Sequence, residues 1–274
     1  DYYVGRKIGE IWGYETDGYY TINDFNADDA KHKTWTLKEG VVKINGYNPQ
    51  PGDVKFKDLH TDGVINAGDN TVDNPGDRKV IGNDAARYQF GISLGASYKG
   101  WSLEVLLQGV GKRDYWLGGP AMFPFGGAGA GDAVFQALYA NQTDYWRAKS
   151  YDPSSSDYMV PVNPDSKLFR IYDQGNNVGS NTRVSDKYLQ NAAYMRIKNI
   201  TLAYTLPKEW VRRAFIQDAK FYLSIENLAT FSSLPKGYDP EGTAPSSTAN
   251  ALSNGISWGY PYYRTISLGA SITF

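Results

Sequence analysis

The sequence predicts an all-β protein whose antiparallel strands form part of a membrane β-barrel wall with long external loops. Three observations predict it. Apolar and polar residues alternate over stretches long enough to cross a bilayer. The connections between those stretches alternate between long and short, as in barrels with tight turns on one side and large loops on the other. Aromatics make up 15% of the chain, with 22 Tyr, 7 Trp and 11 Phe beside 29 Gly, a balance that favours strands, turns and interfaces over helices.

The elements follow in order. RKIGEIWGYETD (6–17) is the first strand-like stretch, followed by a predicted loop over 18–86. In RYQFGISLGASY (87–98), Tyr88, Phe90, Ile92, Leu94, Ala96 and Tyr98 share one face, and Gln89, Gly91, Ser93, Gly95 and Ser97 the other. Lys99-Gly100 makes a tight turn into WSLEVLLQGVG (101–111), where Trp101, Leu103, Val105 and Leu107 share a face. A long segment, about 113–190, carries the turn and breaker runs FPFGGAGAG, YDPSSSD and DQGNNVGSN. The next strand covers 192–206. Its alternation is clean from Ile200 to Leu206 and blurred before Asn199, which predicts a bulge or a change of environment there. PKEWVRRAF (207–215) opens with Pro and reads as a short helix. DAKFYLSIENLATF (218–231) is a strand, 232–260 a loop, and 261–274 the last strand.

In that last strand Ile266, Leu268, Ala270, Ile272 and Phe274 lie on one face, with Thr265, Ser267, Gly269, Ser271 and Thr273 on the other. Such a two-faced strand suits either a soluble core with water behind it or lipid outside with a wet lumen inside. If the chain end lies in the periplasm, the short connections at 99–100 and 207–217 fall on that side. The loops 18–86, 113–190 and 232–260 then fall outside the cell.

Composition excludes some functions. The 274 residues carry 28 basic and 29 acidic side chains, for a net charge of −1, so no nucleic-acid footprint is present. The absence of cysteine rules out disulfides and cysteine metal sites. No apolar run approaches the ~20 residues of a membrane helix. The mean hydropathy of −0.49 fits a soluble protein and a barrel equally, since a barrel's lumen face and loops are polar. The chain opens directly into apparent strand at Asp1, which reads as a processed start or a piece of a longer chain.

The ending Ser267-x-Gly269-x-x-Ile272-x-Phe274 resembles the C-terminal signal by which outer-membrane barrels are recognised for assembly. PGDVKFKDLHTDGVIN (51–66), DRKVIGN (77–83), residues 87–109 and 188–210, FYLSIENLATFS (221–232), GYDPE (237–241) and 260–274 stand in an order similar to SusC/RagA-type TonB-dependent outer-membrane transporters. The resemblance covers nearly the whole chain. It implies the C-terminal part of a 22-stranded barrel whose plug domain lies elsewhere, energised through TonB and closed by a SusD-like surface lipoprotein. The cargo it implies is oligosaccharide first and peptide second. It also implies an outer-membrane location, with external loops and a periplasmic C-terminus. In this reading Gly269, Ile272 and Phe274 are the assembly signal. The remaining partners are the rest of the barrel and membrane lipid.

Several constellations carry candidate chemistry. Asp58, His60, Asp62, the Val64 carbonyl and Asp69 have calcium-loop spacing, with Gly63 at the turn and Ile65 packing inward. His60 departs from an all-oxygen set, and Asp69 stands where a bidentate Glu is usual. The plain alternative is an Asx-rich turn. GGAGAG (126–131) lacks the Lys-Ser/Thr of a phosphate cradle and reads as loop. The loop aromatics Tyr115, Trp116, Tyr145 and Trp146, with Phe123, Phe125, Tyr139 and Tyr172, are candidates for substrate or lid contact or for packing within the loops. His32 and His60 accompany no nucleophile motif, and Asp239 with Glu241 reads as a turn, so an enzyme is not expected. The competing reading is a soluble, secreted, calcium-stabilised β-sandwich that binds or hydrolyses glycans.

Overall fold

The computed structural model describes residues 5–26, 35–118, 122–123, 138, 140–171, 178–236, 238–242 and 262–274. In chain order the strands are β1 (Glu10–Tyr14), β2 (Thr16–Tyr19), β3 (Val54–Phe56), β4 (Arg78–Asn83), β5 (Arg87–Tyr98), β6 (Trp101–Lys112), β7 (Asp114–Trp116), β8 (Leu189–Asn191), β9 (Tyr194–Thr205), β10 (Asp218–Ser232) and β11 (Thr265–Thr273). The chain divides into two compact units. One comprises residues 1–85, 115–190 and 244–257, and the other 86–114, 191–243 and 258–274.

The second unit is a five-stranded antiparallel sheet in the order β11-β10-β9-β6-β5. The β5–β6 hairpin closes at Lys99 (φ 46°) and Gly100 (φ 87°). Two successive positive φ angles give the two-residue turn whose twist matches the flanking strands. Register then sorts the side chains into rows across all five strands. One face carries Leu94–Val105–Ile200–Ile225–Ile266 and, beside it, Ala96–Leu103–Leu202–Leu223–Leu268. Nearest the turn it carries Tyr98–Trp101–Tyr204–Phe221–Ala270. The opposite face carries Gly95–Glu104–Thr201–Ser224–Ser267, flanked by Ser97–Ser102–Ala203–Tyr222–Gly269. There Asn199 Nδ2 donates to Ser224 Oγ at 3.0 Å, and the Thr201 hydroxyl donates to Asn199 Oδ1 at 2.9 Å. Leu94 is 56% exposed and Leu268 83%, so the apolar face is not packed into a core of this chain.

Of the bulge or change of environment expected before Asn199, the structure shows a bulge. Leu106 and Leu107 of β6 pair with Asn199 and Ile197 of β9, leaving Lys198 as the extra residue. A one-residue insertion changes which face the following side chains meet. That is why Arg196 shares the polar face with its partners Gln108 and Thr230, although the alternation from Ile200 to Leu206 would point even-numbered residues to the apolar face.

The first unit corrects two expectations. Residues 6–17 do not supply a sixth strand to the sheet: β1 pairs antiparallel with β4, and Ile11 and Tyr14 are buried in an aromatic core. Period-two alternation looks the same whether the greasy side meets lipid or protein, and here a protein core takes it. Nor are 18–86 and 113–190 open loops. β2 pairs with β3, β7 with β8, and their segments enclose a core that includes Phe56, Ile65, Trp116, Phe123, Trp146, Phe169 and Tyr188. Phe123 is the hub, with ring centroids 4.7 Å from Tyr188, 6.0 Å from Phe169 and 6.1 Å from Trp116. Burying aromatics of this size contributes roughly 1.5–3 kcal/mol each. A buried polar link ties distant segments together: Asn181 donates Nδ2–H to Asp53 at 2.7 Å and accepts the Val54 N–H at 2.7 Å.

Candidate functional site

The residues with calcium-loop spacing lie on a tight surface turn of the first unit. Asp58 accepts the Gly63 N–H at 2.8 Å, and Asp62 accepts the Val64 N–H at 2.9 Å. Asp69 faces Asn74, whose side chain donates to it at 2.9 Å. His60 is exposed, and Val64 is 40% exposed. Ile65 is buried as its position requires, and a bridge to Ile44 holds it. Among the described residues, no three His or acidic side chains gather around one ion-sized point. One feature does suit an ion: Asp58 Oδ1 is shielded from solvent and has no hydrogen-bond partner.

The residue that organises this turn escaped the sequence reading. Asp77 is fully buried, and one of its carboxylate oxygens accepts the N–H groups of Leu59 (2.9 Å) and His60 (3.3 Å). The other accepts the Asn66 N–H at 2.8 Å. A carboxylate this deep persists because charge-assisted hydrogen bonds replace its lost water. Its only sequence signal was the Asp opening DRKVIGN.

The aromatic candidates require a correction. Tyr115, Trp116 and Trp146 are buried in the first unit, Trp146 at 1% exposure, so they form its framework and offer no ring to a ligand. Tyr145 is half-buried, with the Arg147 guanidinium 5.7 Å from its ring. Phe125, Tyr139, Tyr172, His32 and the 126–131 run lie outside the described residues. The rings that border open space are others. Trp35, Lys38, Lys43, Asn45, Asn48 and Gln50 line a cavity of about 710 Å³ in the first unit. An adjoining cavity of about 310 Å³ shares Trp35 and Gln50 and adds Tyr151, Tyr158 and Arg170.

In the sheet unit, Asp239 and Glu241 are held as a turn by cations. The Arg196 guanidinium is buried and makes two 2.8 Å hydrogen bonds to Asp239. It stands 3.0 Å from Glu241, which Lys198 also contacts at 3.2 Å. Arg113 donates to the Pro240 carbonyl at 3.2 Å. On β11, Gly269 lies under the Tyr222 ring, and a Cβ there would come within 2.2 Å of it. Ile272 pairs with Ala219 on the apolar face, and Phe274 follows the strand, exposed.

A sheet with one wholly apolar face and one hydrogen-bonded polar face, fed by long folded connections, defines a class: part of an outer-membrane-type β-barrel. Sequence comparison narrows it. The chain is 26% identical over 275 residues to TonB-dependent receptor P3 of Formosa agariphila, covering 98% of this chain. It is 24% identical over 244 residues to TonB-dependent receptor P26 of the same organism, covering 88%. No family model matches the chain. In fold it is similar to the RagAB peptide transporter, with a TM-score of 0.50, 19% identity and 97% of this chain covered. The RagAB peptide importer in its open-open state gives a TM-score of 0.50 at 17% identity. By sequence the chain is thus similar to TonB-dependent receptors, and its fold is that of the corresponding part of the RagAB transporter. It spans 22% of the length of each of the two receptors.

Proposed function

We propose that the protein containing this chain imports nutrients across the outer membrane. Its cargo is oligosaccharide, with peptide as the second choice. A SusD-like surface lipoprotein closes over it, and TonB supplies the energy through a plug domain. The chain's share is wall, lumen lining and external loops, with 113–190 and its companions outside the cell and the C-terminus in the periplasm. The observation carrying this reading is the pair of faces on the five-stranded sheet. Three adjacent apolar rows, ending in an aromatic row at the tight-turn end, suit a hydrocarbon slab with a girdle at its boundary. The opposite face of small and hydroxyl side chains suits a wet lumen. Relatives named as TonB-dependent receptors support the same reading. A deletion strain tested for oligosaccharide uptake, with the protein tracked by membrane fractionation, tests it. Unchanged uptake of every oligosaccharide and peptide offered, or recovery from the soluble fraction, overturns it.

The orphaned Asp58 Oδ1 keeps one ion in view. Calcium would take Asp58, Asp62 and the Val64 carbonyl, and would stiffen the turn without entering transport chemistry. A calorimetric titration with no calcium uptake at millimolar concentration removes it.

A further inference from the structure

The tight-turn end of the five-stranded sheet carries an apolar groove and a basic connection that leads into the same strand, β10. Every residue of the two connections at this end, 99–100 and 206–217, is described. On the apolar face Trp101, Leu202, Tyr204, Phe221, Leu268 and Ala270 border a groove of about 590 Å³, and no charged side chain lines it. The Trp101 and Tyr204 rings stand 4.7 Å apart on its β6–β9 side. In the connection, Lys208, Arg212, Phe215, Ile216 and Gln217 line a hollow of about 390 Å³. Val211 is buried and accepts the Ile216 N–H at 3.2 Å, which fixes the course of the chain there. Yet Trp210 is 65% exposed and Phe215 93%. Phe215 also holds φ 61°, a left-handed conformation that bulky residues rarely adopt.

Lys99, Lys208, Arg212 and Arg213 stand at this end against two acids, Glu209 and Asp218. Among the described residues Lys208, Arg212 and Arg213 form no ion pair with either acid or any other, and Lys99 lies over the Tyr98 ring at 5.1 Å. Lys220 belongs to the opposite face, in the row Thr205–Lys220–Ser271. Each feature selects part of a ligand. An open groove without charge takes a hydrocarbon chain. An exposed ring held at a strained φ is unfavourable in water and favourable where acyl chains meet headgroups, the layer that Trp also prefers. Lys and Arg stems lie along apolar surface with their charged ends in that layer, and four cations against two acids favour an anionic headgroup. From Gln217 to Phe221 the strand runs about 13 Å, within the ~15 Å depth of one leaflet's hydrocarbon, so a single phospholipid reaches both features. A second copy in the same membrane would bring the same cations to the same depth, where like charges repel.

We propose that this end of the sheet binds one anionic phospholipid of the leaflet facing the periplasm, its phosphate against Lys208 and Arg212 and an acyl chain in the groove over Phe221 and Ala270. The inference rests on the importer reading for the membrane and for the direction of the strands. The test uses the full-length protein purified in detergent and incubated with phosphatidylglycerol, phosphatidylcholine or glycerol phosphate, with native mass spectrometry reading what is retained. Phosphatidylglycerol is retained as one copy, at least five times more than phosphatidylcholine, and glycerol phosphate is not retained. Lys208→Gln combined with Arg212→Gln lowers phosphatidylglycerol retention three- to tenfold. Ala270→Phe, which fills the groove, lowers retention of both lipids, and Lys220→Gln on the opposite face changes neither. Each variant keeps the parent's heat-modifiable gel mobility. Equal retention of the two lipids, retention of glycerol phosphate alone, a dimer that Ala270→Phe dissociates, or groove and cation variants that bind as the parent does would overturn it. Fractionation of the same cells reads the importer proposal separately. A protein found in the outer membrane without a lipid preference removes this proposal alone, and recovery from the soluble fraction removes both.

Discussion

At the scale of single residues, the positions that matter most are those where a main-chain group depends on one side chain. Asp77 holds three N–H groups in a site closed to water, and truncating it strands all three. Asp77→Ala therefore costs roughly 3 kcal/mol or more at the 58–77 turn, and Asp77→Asn costs less because its carbonyl still accepts. Hydrogen exchange at Leu59, His60 and Asn66 reads this directly, and unchanged protection in the alanine variant would sink it. Two glycines of the sheet give a second comparison. A Cβ at Gly109 would meet the main-chain oxygen of Tyr194 at 2.4 Å, whereas at Gly269 it meets only the far end of the Tyr222 ring. Backbone cannot step aside, and a ring can. Gly109→Ala should cost about 1–3 kcal/mol and Gly269→Ala clearly less. Urea unfolding of the two variants in lipid ranks them, and the reverse order refutes the reasoning.

At the scale of elements, the rows across β5, β6, β9, β10 and β11 set the tolerance of each face. Leu223 lies in the middle of an apolar row, and Ser224 is its neighbour on the polar face. Leu223→Arg should destabilise the folded barrel by about 2–4 kcal/mol, while Ser224→Arg is accommodated. Equal effects, measured by unfolding in lipid vesicles, would mean that neither face touches hydrocarbon. In the first unit, Glu15 joins three strand segments through Lys57, just beyond β3, and Lys79 on β4. Hydrogen bonds from Lys57 and then Lys79 hold its carboxyl at about 2, below its ordinary 4.5. A depressed carboxylate stabilises the fold above its unfolded value and loses that contribution as pH falls toward its folded value. The difference in melting temperature between the parent and Glu15→Gln should thus be present at pH 5 and fade between pH 4.5 and 2. Because Glu15 is only half-buried at the surface and its partners Lys57 and Lys79 are exposed, solvent screens the pair, the effect is small, and it shrinks further with salt. A difference independent of pH would exclude this pairing.

At the scale of the whole molecule, five strands leave β5 and β11 each with one edge unpaired among the described residues. An open edge beside an exposed apolar face is a template for association. Residues 1–274 made alone should enter the insoluble fraction and disperse only in detergent. A monomer in plain buffer with a cooperative melt would contradict the membrane reading. The first unit explains how long connections stay ordered. Its aromatics, among them Trp146, Phe123 and Tyr188, are spent on its own core. The exposed chemistry falls to smaller features such as Tyr151 and Lys38, which no run of aromatics announces.

The sequence by itself determined the strands of the sheet, their tight turn at Lys99-Gly100 and a break in the pattern beside Asn199. All three follow from local rules: side chains alternate, two positive φ angles suit Lys-Gly, and a blurred alternation marks the break. It also supplied the likeness to TonB-dependent transporters, because the motifs that carry it are runs of adjacent residues. Only the tertiary structure decided what the greasy side of 6–17 touches, that Trp116 and Trp146 face inward, and that Asp77 governs a turn eighteen residues upstream. It alone joined Trp35 to Tyr151 in one cleft and Arg196 to Asp239 in one ion pair. Each of these depends on a partner distant in the chain, and a residue's own neighbours carry no record of which distant surface closes over it.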